Sequence, residues 1–196
     1  KRIALNWINI SRTIWKVISN PVFLRYTGIT TVLFAALSSY VASSEYIVGN
    51  IYGRPKLFAW IFAAIGLLMS LSAFINSKLS ARYGARRAIR WLLIVYTFTG
   101  AVLLLFTFSF SDPPDIRFFF VTVALMLAIN LAIEPNSSAL AMEPMGSMAG
   151  MASATYGTFF FFIGSALGAV ISDLMVNGVM PLVISFFVIG LITMLL

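Results

Sequence analysis

Six long apolar runs dominate this chain and leave it few folds to choose from. They cover about 22–50, 56–80, 88–110, 117–141, 149–175 and 180–196. A helix needs roughly 20 apolar residues to cross a hydrocarbon core about 30 Å thick. The runs carry no period-two alternation, so a closed β-barrel is excluded and membrane helices are expected. Turn clusters separate several of them: Tyr52–Pro55 (YGRP), Ser111–Asp115 (SDPPD) and Val176–Pro181 (VNGVMP). The last run has only about 17 residues, near the lower limit of a span. With Lys1 as its first residue, the chain reads as part of something longer.

Composition agrees with lipid as the solvent. Of 196 residues, 61% are hydrophobic and 10% charged, where soluble domains hold about 45–50% and 25%. There is no cysteine and no histidine. Disulfides, haem attachment, the usual zinc sites and a histidine proton switch therefore fall away, and any proton handling is left to carboxylates. No cofactor or metal is expected. No short apolar core with a cleavage site marks a signal peptide.

The net charge of +7 is sorted by position. Lys1, Arg2, Arg12, Lys16 and Arg25 precede the first run, and Lys78, Arg82, Arg86, Arg87 and Arg90 lie between the second and third. The opposite side has Arg54, Lys56 and Arg117, beside Asp112 and Asp115. This bias predicts a cytoplasmic N-terminus and a cytoplasmic second-to-third loop. No basic groove interleaved with aromatics is visible, so nucleic acid is not an expected partner. Within residues 1–20, Ile3, Trp7, Ile10, Ile14 and Ile18 recur at helical steps opposite Asn6, Asn9, Thr13 and Lys16. That pattern predicts an amphipathic linker helix along the cytoplasmic leaflet, the alternative being a disordered linker.

The loop NSKLSARYGARRAIR (Asn76–Arg90) holds Gly84 for the positive dihedral of a tight turn. Arg82, Arg86, Arg87 and Arg90 suit either an anchor in the headgroups or a latch between helix ends. The loop resembles the G-x-L-a-D-r-x-G-r-R pattern between the second and third helices of each half of major facilitator superfamily transporters. Leu79, Arg82, Gly84 and Arg86 match; Ser77, Ala81 and Ala85 replace a glycine, an acid and a basic residue. A degraded copy of this kind is typical of the C-terminal half, and loss of the acid weakens the family's charge relay. The stretch PNSSALAMEPMGSMAGMASATYG (Pro135–Gly157) looks like the junction of helices ten and eleven in Bcr/CflA-type drug–proton antiporters. NPVFLRY (Asn20–Tyr26) is similar to their lead-in to helix seven.

The resemblance implies an all-α integral membrane protein: the C-terminal six transmembrane helices of twelve, as two inverted three-helix repeats over 22–110 and 117–196. It implies proton-coupled efflux of hydrophobic or cationic drugs from a bacterial inner membrane, by rocking against an N-terminal six-helix half that holds the main proton-coupling acids. The lipid bilayer, a small hydrophobic substrate and protons are the implied partners. Two alternatives remain: a non-transporting truncated or accessory membrane module, and a family transporter of a different small metabolite.

Individual residues take roles within this frame. Pro144 lacks the donor a continuing helix needs, so Glu143-Pro144 is expected at the cytoplasmic surface, with Gly146 and Ser147 completing a turn and Ser147 capping the next helix. Gly150, Ala154, Gly157, Gly164 and Gly168 predict a small-residue packing face, Gly164-x-x-x-Gly168 above all. Phe159–Phe162 are expected as lipid-facing bulk or cavity wall. Glu134 lies roughly 25 Å along the fourth run at 1.5 Å per residue. A carboxyl in a membrane is costly and marks a pathway or a paired contact. Glu134, with Asn130 one turn away, is thus the candidate proton-coupling site, the alternative being a hydrated interfacial glutamate. Glu45 and Asp173 are expected at the outer interface, Glu45 with a candidate role in cation attraction or gating. Tyr40, Tyr46, Asn50, Met69 and Tyr156 have the character of a polyspecific cavity. No phosphate-binding loop, nucleophile elbow or paired aspartates occur, so no enzyme is expected.

Overall fold

The computed structural model describes residues 7–175 and 178–196; Ile3 and Asn6 of the linker pattern, and Val176 and Asn177 of the last turn, lie outside them. Every described element is helical. In chain order they are α1 (Trp7–Ile18), α2 (Pro21–Tyr46), α3 (Phe58–Tyr83), α4 (Ala85–Ser109), α5 (Ile116–Met142), α6 (Ala149–Gly157), α7 (Gly164–Asp173) and α8 (Met180–Leu195). A π-helical turn, Ile47–Ile51, extends α2, and another, Thr158–Ile163, joins α6 to α7 as one rod.

The helix ends show why the chain breaks where it does. Asn20 caps α2, its Oδ1 accepting from the amides of Val22 and Phe23 at 3.0 and 3.1 Å, and Pro21 occupies the first turn where its missing N–H costs nothing. Asp115 caps α5 in the same way, accepting from Arg117 and Phe118. Gly84 alone separates α3 from α4, at φ 85°. A side chain is strained in that region, so the hairpin requires glycine.

Among the described residues, four runs are long and apolar enough to cross a membrane: Pro21–Ile51, Pro55–Tyr83, Ala85–Ser109 and Ile116–Asp173. The fourth, at 58 residues, is too long for one crossing. It turns back through the 3-10 turn Glu143–Met148, where Gly146 leaves helical geometry at φ 2° and ψ −87°. The six apolar runs of the sequence thus fold as four such spans, one doubled back, and the shorter α8. Ser147 does not cap α6: the cap position is Met148, and no side chain bonds there.

The core joins α2, α4, α5 and α8, with Tyr40, Tyr96, Phe119, Met126 and Phe186 among its buried side chains. α2 packs against α5, α7 and α8, α4 against α5 and α8, and α3 against α5. α3 stands at the edge. Ile65 and Asn76 are its only buried residues, and Trp60, Leu67 and Phe74 are exposed. α1 docks through Val17 into a small cluster with Phe23, Met145 and Ala152. Of the apolar series Ile10, Ile14 and Ile18 are half-buried and Trp7 is 84% exposed; of the polar set Asn9 and Lys16 are exposed and Thr13 is half-buried.

Candidate functional site

Glu134 and Tyr156 meet because the chain doubles back at Gly146. The Tyr156 hydroxyl donates to Glu134 Oε1 at 3.2 Å, joining α5 to α6. Both side chains are half-buried. An aromatic wall continues from Tyr156: its ring stacks on Phe160 at 5.8 Å, Phe160 lies 4.4 Å from Phe34 of α2, and Phe161 meets Phe34 edge-on at 5.5 Å. Two of the four consecutive phenylalanines therefore touch α2 through Phe34, although Phe161, like Phe162, stays exposed. The result is one carboxylate beside several aromatic faces, a combination that suits an apolar or cationic guest.

Asn130 takes a different partner from the one the sequence suggests. Its Nδ2 donates to the Leu33 carbonyl of α2 at 2.6 Å, and the residue is buried. It ties α5 to α2, while Glu134 one turn on faces α6. Pro135 sits within α5 without ending it.

A polar ladder that sequence reasoning missed fastens the edge helix. Ser72, Asn76 and Ser80 recur every four residues on α3. Ser72 donates to the Ala128 carbonyl at 2.6 Å, Asn136 Nδ2 to Asn76 Oδ1 at 2.9 Å, and Ser80 to Asn136 Oδ1 at 2.8 Å. The i, i+4, i+8 spacing of polar residues on an apolar helix was the available signal. Such interhelical bonds contribute about 0.6 kcal/mol each on average in membranes.

Beyond the ladder stands the basic loop. Arg86 pairs with Glu143 at 3.2 Å, the one ion pair among the described residues. Arg82 lies over the Tyr83 ring at 5.3 Å, Leu79 is half-buried, and Arg87 is exposed. At the opposite end of the helices, Tyr52 donates to the Pro114 carbonyl at 3.0 Å, and Asp112 accepts from the amides of Val179 and Met180 at 2.8 and 3.4 Å. Burial, and then the charges of Asp112 and Asp115, push the Tyr52 phenol well above the ordinary tyrosine range.

The small-residue series splits into two surfaces. A Cβ on Gly164 would meet Phe34 Cδ1 at 2.8 Å, and one on Gly168 would meet Ser38 Cβ at 2.7 Å, so these two set the approach of α7 to α2. A Cβ on Gly150 or Gly157 would meet nothing within 4 Å, and Ala154 is exposed.

A cleft of about 900 Å³ opens between α3 and α5, walled by aliphatic side chains and Phe120, with Arg54 and Arg117 at its rim. None of the cavity candidates Tyr40, Tyr46, Asn50, Met69 and Tyr156 lines it. Tyr40 is instead a buried core residue, its hydroxyl unpaired among the described residues. Met69 packs against the core, and Tyr46 and Asn50 are exposed at the end of α2 with Glu45. Asp173 is exposed at the end of α7. Composition marks residues fit for a cavity but not the side of a helix they occupy.

Comparison with known proteins gives two relatives. A bicyclomycin resistance protein homolog from Haemophilus influenzae is 25% identical over 92% of this chain and 45% of its own length. An uncharacterized MFS-type transporter, YdgK, from Bacillus subtilis is 24% identical over 87% of this chain and 42% of its own. No family model matches, and no solved structure does. The chain spans a little under half the length of the curated relatives it matches. With its apolar spans, this likeness makes the chain a multi-pass membrane protein and a partial relative of the major facilitator transporters.

Proposed function

We propose that the chain is the C-terminal six-helix half of a proton-coupled exporter of hydrophobic or cationic drugs, working by alternating access with an N-terminal half. In this reading 22–110 and 117–196 are inverted repeats. The ends carrying α1 and the Arg82–Arg90 loop face the cytoplasm, and the membrane is the bacterial inner one. The observation that carries the reading is the Glu134–Tyr156 contact, a carboxylate held by one hydrogen bond beside the Phe34–Phe160 wall. The bicyclomycin resistance name of one relative supports the drug class.

An ionised Glu134 accepts the Tyr156 hydroxyl and attracts a cationic guest. Once protonated it carries no charge and releases that guest, so binding of proton and cation compete at one oxygen pair. Gly146 supplies the bend about which α6 moves against α5. Arg86–Glu143 and the Ser72–Asn76–Ser80 ladder hold the cytoplasmic ends together in the closed position.

The test is dye efflux driven by a proton gradient in vesicles carrying the full-length parent protein. Glu134→Gln is expected to abolish the pH dependence of cationic dye efflux while the protein still inserts and folds. Unchanged flux with unchanged pH dependence assigns Glu134 a structural role and removes the proposed coupling site.

A further inference from the structure

The cleft between α3 and α5 has chemically distinct ends. At one end Leu71 and Ala124 line it, and the next residue on α3, Ser72, is bonded to Ala128, the first rung of the polar ladder. Along α3 the walls run from Leu57 to Leu71, roughly 21 Å at 1.5 Å per residue. Ile61, Leu68 and Val121 are typical of a lining with no polar side chain below the rim. At the other end stand Arg54, just before α3, and Arg117, in the first turn of α5. Both are exposed, and neither pairs with a carboxylate among the described residues. The nearest acid in the chain, Asp115, already caps α5 with Oδ1. A smaller pocket of about 470 Å³, lined by Tyr52, Arg54, Ser111 and Asp115, adjoins the rim.

We propose that this cleft binds an anionic phospholipid from the leaflet opposite α1, with an acyl chain between α3 and α5 and the phosphate held by Arg54 and Arg117. Charge complementarity selects the occupant. Two free guanidinium groups above a long aliphatic trough match a phosphate joined to a hydrocarbon tail, and guanidinium forks bind phosphate oxygens in paired hydrogen bonds. A cationic drug is repelled at this rim, so the site is separate from Glu134. A bound chain adds apolar contact to α3, whose side chains are mostly exposed, and so steadies the edge helix.

Native mass spectrometry of the complete transporter in mild detergent, with phosphatidylglycerol or phosphatidylcholine added, tests this. Wild-type protein is expected to retain phosphatidylglycerol in preference to phosphatidylcholine. Arg54→Gln/Arg117→Gln is expected to erase the preference, and Ala64→Phe, which fills the trough and leaves both arginines, to reduce retention of both lipids. Lys56→Gln, on the same side but outside the lining, serves as the control and retains lipid as wild type does. Equal retention by wild type and the double variant overturns the proposal, as does absence of lipid from all of them, which assigns the trough to the N-terminal half. Displacement of phosphatidylglycerol by inorganic phosphate without any effect of Ala64→Phe also overturns it, because the arginines then serve a free anion.

Discussion

The Arg86 guanidinium lies 3.2 Å from the Glu143 carboxylate, tying the hairpin after α3 to the turn after α5. Both side chains are more than half exposed, so the pair contributes little to folding, between zero and about 1 kcal/mol. Its position matters more than its strength. The Ser80–Asn136 rung joins α3 to α5 shortly before those two turns, so one polar seam runs along the α3–α5 edge from Ser72 to the surface.

A charge swap separates the two roles. Glu143→Arg alone sets a third positive charge beside Arg86 and its neighbour Arg87 and is expected to slow transport by the complete protein. Arg86→Glu with Glu143→Arg is expected to restore it. Thermal unfolding of both variants shifts by no more than about 1 kcal/mol. Efflux measured for the single and double variants decides: a double variant as slow as the single one makes the pair incidental.

Much of this architecture is legible in the sequence because lipid imposes it. The apolar runs mark the helices to within a few residues, since a chain in hydrocarbon must satisfy its backbone internally. Gly84 is readable for a local reason, as no other residue suits its dihedral. Contacts set by distant pairs are not. Glu134 and Tyr156 both stand out by type, yet their meeting depends on the bend at Gly146, and Asn130 turns to Leu33 because α2 passes beside it. The π-helical turns at Ile47–Ile51 and Thr158–Ile163 leave no periodic trace. Arg54 and Arg117 read as topological charges until α3 and α5 bring them to one rim.

Glycine substitutions distinguish the two small-residue surfaces. Gly168→Ala drives a methyl to 2.7 Å from Ser38 Cβ and 2.9 Å from the Ala35 carbonyl, which is backbone and does not yield easily. The expected loss is about 1–3 kcal/mol, as for other overpacked contacts. Gly164→Ala is expected to behave alike, against Phe34 and the Thr31 carbonyl. Gly150→Ala meets open space and is expected to leave stability unchanged or raise it by up to about 1 kcal/mol through helix propensity. Detergent-solubilised melting curves give the ranking, and equal tolerance at Gly168 and Gly150 contradicts the close approach of α7 to α2.

The Tyr52 phenol gives the fold a dependence on alkaline pH. It donates to the Pro114 carbonyl, and burial followed by the negative charges of Asp112 and Asp115 keeps its proton on well above the ordinary value of 10.0. In the unfolded chain the same hydroxyl ionises near 10.0. Above that pH the unfolded state binds fewer protons than the folded one, so stability is intact below it and falls as pH rises, by up to about 1.4 kcal/mol per pH unit from this one group. Tyr52→Phe removes that share of the slope and, at neutral pH, the hydrogen bond, worth about 1 kcal/mol. Unfolding midpoints of wild type and Tyr52→Phe, measured on both sides of about pH 10, are therefore expected to converge as pH rises. The remaining tyrosines are common to both proteins and cancel in the comparison. Parallel curves instead mean that Tyr52 ionises as easily folded as unfolded, and that the loop holding Pro114 is open to water.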